Sequence, residues 1–141
     1  MADELSSLRN LVERVRVGML TIADPAGMLT CRPLQTLELD ADARLWLFVS
    51  VGPPNVEEMS HAYRRVGVAY SDRNKQDYAS FSGSGAIVRD EAKMRACWNA
   101  WVELWFPRGI EDPDLALLCV TVEQADYWEA PGSASRQFRR K

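Results

Sequence analysis

The chain has 141 residues, 47% apolar and 26% charged, with a formal net charge of −3. That balance describes one globular domain with a sizeable core. Cys31, Cys97 and Cys119 are odd in number and far apart, and His61 is the single histidine, which leaves little from which to build a disulfide framework, a zinc ribbon or a Ser-His-Asp triad. No apolar stretch has the length of a membrane span, and Met1-Ala2-Asp3-Glu4 lacks the basic-then-apolar plan of a signal peptide, so no membrane partner and a cytoplasmic location are expected.

Asp3 is the expected cap of a first helix, because Leu5, Leu8, Leu11, Val12 and Val15 then recur on one face. A strand is expected over 17–23, ended by Asp24-Pro25-Ala26-Gly27, whose Asp, Pro and Gly occupy their type I turn positions. A long strand over 28–39 completes a hairpin, and a third strand over 45–51 follows the turn at 40–43. Gly52-Pro53-Pro54 interrupts the sheet and opens a helix bearing Glu57 and Glu58 at its start and Met59, Ala62 and Tyr63 on its buried side.

Further strands are expected over 65–71 and 78–89. A helix capped by Asp90 should run to about Trp105, and a sixth strand should span 115–128. Trp98, Trp101 and Trp105 are spaced three and four apart, the pattern of a one-sided aromatic stripe serving core or dimer interface. Pro131-Gly132-Ser133 ends order, so residues 1–130 form a single domain and 131–141 a basic, flexible tail, read as solvated rather than as a nucleic-acid contact. Strands joined mostly by short turns argue for an antiparallel sheet, and six of them with helices at the ends can close into a small barrel.

The most informative residues are Cys31-Arg32-Pro33-Leu34-Gln35-Thr36-Leu37 and Leu45-Trp46-Leu47-Phe48-Val49-Ser50. Proline cannot donate to a sheet ladder, so Pro33 marks an edge, a bulge or a place where a ligand meets the backbone. An Arg at that break suits an anion, since a guanidinium binds two phosphate oxygens at once. Ser50 ends an apolar strand with a hydroxyl just before a helix start, a good position for a phosphate oxygen. Ser80, Ser82, Gly83, Ser84 and Gly85 make a small-residue strand, either a close-approach surface or a barrel corner. Asp112-Pro113-Asp114 reads as a turn cap rather than a catalytic carboxylate pair. Cys97 and Cys119 read as small buried hydrophobes.

Five landmarks occur in order: Arg32-Pro33, Leu45 to Ser50, Tyr78 to Gly83, Trp105-Phe106-Pro107 and Tyr127-Trp128. Together they resemble the FMN-binding split barrels, in particular the general stress protein 26-like branch of the pyridoxamine 5'-phosphate oxidase superfamily. The resemblance covers nearly the whole chain. It implies a six-stranded antiparallel split β-barrel with flanking helices, a homodimer, FMN as cofactor and a stress-related oxidoreductase, with a nicotinamide as one candidate electron donor that the sequence does not decide. It also implies a cofactor site at Arg32, Pro33, Leu34, Gln35, Phe48, Val49, Ser50 and Asn55, completed by Trp128 of the second copy. No residue stands out as a general acid or base.

The sequence departs from that family at two places. Pro53-Pro54-Asn55-Val56 stands where the family carries a phosphate-binding Lys, and Asn55 offers a hydrogen bond but no charge. Leu37 and Glu38 stand where the true oxidases hold their substrate's phosphate with basic residues, which argues against vitamin B6 oxidation. A non-catalytic flavin carrier and a flavin-free dimer with a decayed site therefore stand beside the oxidoreductase, and a deazaflavin or haem is a further variant of the ligand.

Overall fold

The computed structural model of the chain describes residues 2–51, 63–129 and 135–141. The helix expected after Gly52-Pro53-Pro54 and the candidate Asn55 lie outside the described residues.

Helix α1 (Ala2–Val15) buries Leu8, Leu11 and Val12 against the barrel, with Leu5 and Val15 packed beside them, so the apolar stripe is the one that the spacing marks. The backbone is already helical at Asp3, which is therefore inside the first turn and not its cap. The strands are β1 (Val17–Ala23), β2 (Leu29–Leu39), β3 (Arg44–Ser50), β4 (Val66–Asp72), β5 (Asp77–Val88), β6 (Leu115–Glu129) and β7 (Arg136–Arg139). Between β1 and β2, Gly27 N donates to Asp24 O at 2.9 Å, and the Asp24 carboxylate accepts from the amides of Ala26 and Met28.

All described pairings are antiparallel, in the order β3-β2-β1-β4-β5-β6-β7, and β3 also pairs with β6. That last pairing closes six strands into the expected barrel. Strand β6 makes closure possible because it is long. It holds β5 along one edge, while its other edge takes β3 over Leu115–Thr121 and β7 over Gln124–Tyr127. The expected flexible tail at 131–141 thus gives way to a seventh strand at 136–139, because β6 outruns β3 and leaves ladder groups for Arg136–Arg139 to pair with.

The small-residue run on β5 is explained by close approach. A Cβ on Gly83 would lie 2.0 Å from Thr121 O, and one on Gly85 would lie 2.4 Å from Tyr63 O, to which Gly85 N donates. The β5–β6 register also shifts between Ser82 and Gly83, bending the strand there. The lumen is filled by inward residues of every barrel strand, among them Leu20, Leu45, Leu47, Val68, Tyr70, Phe81, Leu118 and Val120.

The single helix expected from Asp90 to Trp105 is two. Helix α2 (Glu91–Cys97) is capped by Asp90, whose carboxylate accepts from Lys93 N at 3.0 Å. Helix α3 (Ala100–Trp105) restarts at Asn99, whose side chain accepts from Val102 N. The break comes from Asn99, a good N-cap that competes with helix continuation. It also splits the tryptophans. Trp98 turns inward, edge-on to Phe48 at 5.5 Å, in a second small core with Val102, Leu115 and Leu117. Trp101 and Leu104 instead point to solvent, 64% and 75% exposed, so the expected one-sided stripe does not form.

Candidate functional site

The barrel wall opens between β2 and β3. Their ladder runs from Leu39↔Leu45 to Thr36↔Leu47, with a register shift on the way, and no described pair continues it. Beyond Thr36, β2 stays with β1 as far as Leu29, while beyond Leu47, β3 stays with β6 as far as Leu115. The strands diverge because each is held by its other neighbour. The gap has Pro33, Leu34 and Gln35 on one wall and Phe48, Val49 and Ser50 on the other. Pro33 suits this place, since a residue facing a gap has no ladder to donate to.

Arg32 is opposite the fully buried Leu20 in the β1–β2 register, so it points to the lumen side of β2. It is nevertheless exposed, because β3 has already left. Among the described residues it has no hydrogen-bond or ion-pair partner, and its charge reaches the phenol of Tyr63. Burial pushes that phenol up and Arg32 pulls it partly back. A cation held over a gap without a counter-ion is able to take an anion.

Among the described residues, Gln35 and Thr36 are the buried polar ones, 3% and 2% exposed. The Thr36 hydroxyl lies 2.6 Å from the Tyr70 phenol, and Thr36 N donates to Arg16 O, also at 2.6 Å. Arg16 has φ +67°, the tight exit from α1 that brings its carbonyl to β2. On the opposite wall, Val49 faces the lumen core while Phe48 faces the second core beneath α2 and α3. Ser50 follows Phe48 in alternation and is exposed on that outer side. Arg32 and Ser50 therefore border one gap from opposite faces of the wall and do not converge on one face.

Trp128 is remote from the gap in its own chain. Its ladder partner is Tyr78 on β5, and Ser71 on β4 pairs with Tyr78. Through β3, Thr36 is in register with Leu118 of β6, and Trp128 lies ten residues further along that strand, about 33 Å. Trp128 is half-buried beside the exposed Tyr78 on the outer face of the sheet.

Several residues around the site have no sequence signal. Tyr63 and Tyr70 are ordinary core aromatics until the tertiary structure sets them beside Arg32 and Thr36. Glu38, expected to repel a phosphate, is neutralised by Lys93 Nζ at 2.6 Å, and Lys93 also lies 4.4 Å over the Trp46 ring. Burial lowers the Lys93 ammonium, but Glu38 outweighs it and holds the amine above its usual range. Asp40 accepts from Trp46 Nε1 at 2.9 Å, and this bond with the Asp42 and Arg44 amides overcomes burial and holds its carboxyl below the usual range. Cys97 and Cys119 are pushed up by burial, whereas Cys31 is exposed with its sulfur 3.0 Å from Thr21 Oγ1. Asp112 accepts from Asp114 N, the expected turn cap. Among the described residues no helix is long and apolar enough to cross a membrane.

An antiparallel barrel closed by β3–β6 and parted between β2 and β3 is a split barrel. Residues 3–139 match the family model described as pyridoxamine 5'-phosphate oxidase like, and the chain belongs to that family. It is similar to a Clostridium acetobutylicum protein related to general stress protein 26, with 23% identity, 99% of this chain and 96% of that chain covered, and a TM-score of 0.76. It is similar to the general stress FMN/FAD binding protein of Xanthomonas citri, with 27% identity, 95% and 94% covered, and a TM-score of 0.73. General stress protein 26 of Bacillus anthracis shares the fold at 16% identity, with 99% and 98% covered and a TM-score of 0.74. None of the curated proteins matches the chain.

Proposed function

We propose that the chain is an FMN-binding flavoprotein that acts as a homodimeric, stress-related oxidoreductase in the cytoplasm. The observation that carries this reading is the gap between β2 and β3, with Arg32 over it and without a counter-ion among the described residues. The Xanthomonas citri neighbour, 27% identical, binds FMN or FAD, which supports a flavin as the occupant. The residues present fit such a group. Arg32 offers a fork for the phosphate, Leu34 and Gln35 offer backbone and amide groups to a ring edge, and Phe48, Val49 and Ser50 supply the opposite wall. Asn55 is proposed as a neutral contact to the phosphate.

Bound flavin supplies the electron or hydride transfer, and the protein's part is orientation and hydrogen bonding. A second copy is proposed to bring its Trp128 to the gap, since the chain's own Trp128 lies far along β6 from it. The exposed Met19 and Tyr78 give that outer face apolar area to bury.

The visible spectrum of freshly purified protein tests the reading. A yellow protein bleached by NADH or NADPH supports the oxidoreductase. A yellow protein inert to both supports a flavin carrier. A colourless protein that takes up no added FMN defeats the reading.

A further inference from the structure

Tyr63 is 1% exposed and belongs to the lumen core, yet its hydroxyl has no hydrogen-bond partner among the described residues. Tyr70 is the contrast, since its equally buried phenol is satisfied by Thr36 at 2.6 Å. Buried polar groups are nearly always paired, so a buried phenol without a protein partner is available to a ligand.

The fold sets this phenol behind the gap. Gly85 N donates to Tyr63 O at 2.9 Å, and a Cβ on Gly85 would lie 3.3 Å from Tyr63 Cβ and 3.0 Å from Leu118 Cδ1. Tyr63 and Leu118 thus meet over Gly85 inside the barrel. Leu118 is opposite Leu47 on β3, and Leu47 is opposite Thr36 on β2, the last pair before the wall parts. The base of Tyr63 therefore stands at the row where the gap begins, on its lumen side. Arg32 points to that same side from further along β2, and it is the charged group that reaches the phenol. Ser50 borders the gap from the other face. Arg32 and Tyr63, each without a partner among the described residues, share one face of the gap.

We propose that Tyr63 is a phosphate-reading residue of the β2–β3 gap, its phenol donating to the same phosphate that Arg32 holds. The assignment rests on the flavin-binding function proposed above. The two groups divide the work by their chemistry. The guanidinium takes two phosphate oxygens as a fork and supplies the charge, which leaves a third terminal oxygen free to accept from one O–H. Burial keeps the phenol protonated and so a donor throughout neutral pH.

The test is fluorescence titration of FMN and of riboflavin into the full chain freed of flavin, for wild type, Arg32→Ala, Tyr63→Phe and the double variant. Tyr63→Phe should weaken FMN binding roughly three- to tenfold, the worth of one hydrogen bond, and leave riboflavin binding unchanged. In the Arg32→Ala background it should remove the preference for FMN that remains. The thermal midpoint of the flavin-free chain should not fall, because the deleted hydroxyl has no partner to lose. An unchanged ratio of FMN to riboflavin affinity in Tyr63→Phe would overturn the proposal. So would a loss seen only when Arg32 is present, which would make Tyr63 a support for the guanidinium, and so would a lower midpoint, which would show the hydroxyl already bonded within the protein. A wild type that binds FMN and riboflavin equally defeats the flavin-phosphate site itself. A wild-type preference that Arg32→Ala reduces and Tyr63→Phe leaves intact defeats the role of Tyr63 alone.

Discussion

The Thr36 hydroxyl and the Tyr70 phenol meet at 2.6 Å in the core, at the residue where β2 makes its last pairing with β3. The bond fixes the point from which the two strands diverge. It does so from within the barrel, because Tyr70 belongs to β4 and packs edge-on against Phe81 of β5 at 5.6 Å.

Tyr70→Phe strands the Thr36 hydroxyl in the core and should cost about 1–3 kcal/mol, the penalty of an unsatisfied buried group. Urea denaturation at neutral pH measures it. Burial also raises the Tyr70 pKa above its ordinary value near 10, against the opposing hydrogen bond from Thr36. The folded state therefore keeps a proton that the unfolded state releases, and this contribution to stability, fully present below about pH 10, is lost as pH rises beyond it. Wild type and Tyr70→Phe should differ by less at about pH 10.5 than at about pH 8. An undiminished gap would mean that Tyr70 does not carry the alkaline loss.

Arg32→Ala should remove most of the preference of the protein for FMN over riboflavin. A charge-assisted hydrogen bond is worth about 1.5–3 kcal/mol, or roughly ten- to a hundredfold in affinity. Fluorescence quenching with both ligands measures it, and equal wild-type affinities for the two would show that Arg32 does not read the phosphate.

Arg140 clasps the C-terminus onto the barrel. Its amide donates to Glu123 O, its Nε to Val122 O at 2.8 Å, and its Nη2 to the carbonyls of Asp42 and Ala43. One side chain thus joins β6 to the β2–β3 turn. Arg140→Ala should lower stability by about 1–2 kcal/mol, the discount reflecting partial exposure. The urea midpoint should fall with no change in slope, and an unchanged midpoint would make the clasp energetically idle.

Trp128→Ala separates two roles. As a ligand contact across the dimer, its loss should weaken FMN binding while the dimer persists. As an interface anchor, its loss should give monomers at micromolar concentration that release FMN in consequence. Light scattering on the variant distinguishes them, and a monomeric wild type that binds FMN fully would exclude both.

Local chemistry made much of the fold readable. The β1–β2 turn follows from Asp24 and Gly27, the α1 face from its leucine spacing, and the small residues of β5 from the approach of β6 and Tyr63. The motifs placed Arg32-Pro33 and Leu45 to Ser50 together, and both reach the same gap, because each is a short-range pattern on one strand. Closure of the barrel was decided by tertiary structure, since β6 has to reach β3 from far along the chain. That same length created β7 from residues that composition alone marks as a tail. The break at Asn99 was also invisible to spacing, because periodicity counts residues and a capping side chain resets the count. Which face Arg32 and Ser50 present and which carbonyls Arg140 reaches depend on strands distant in sequence, and only packing fixes them.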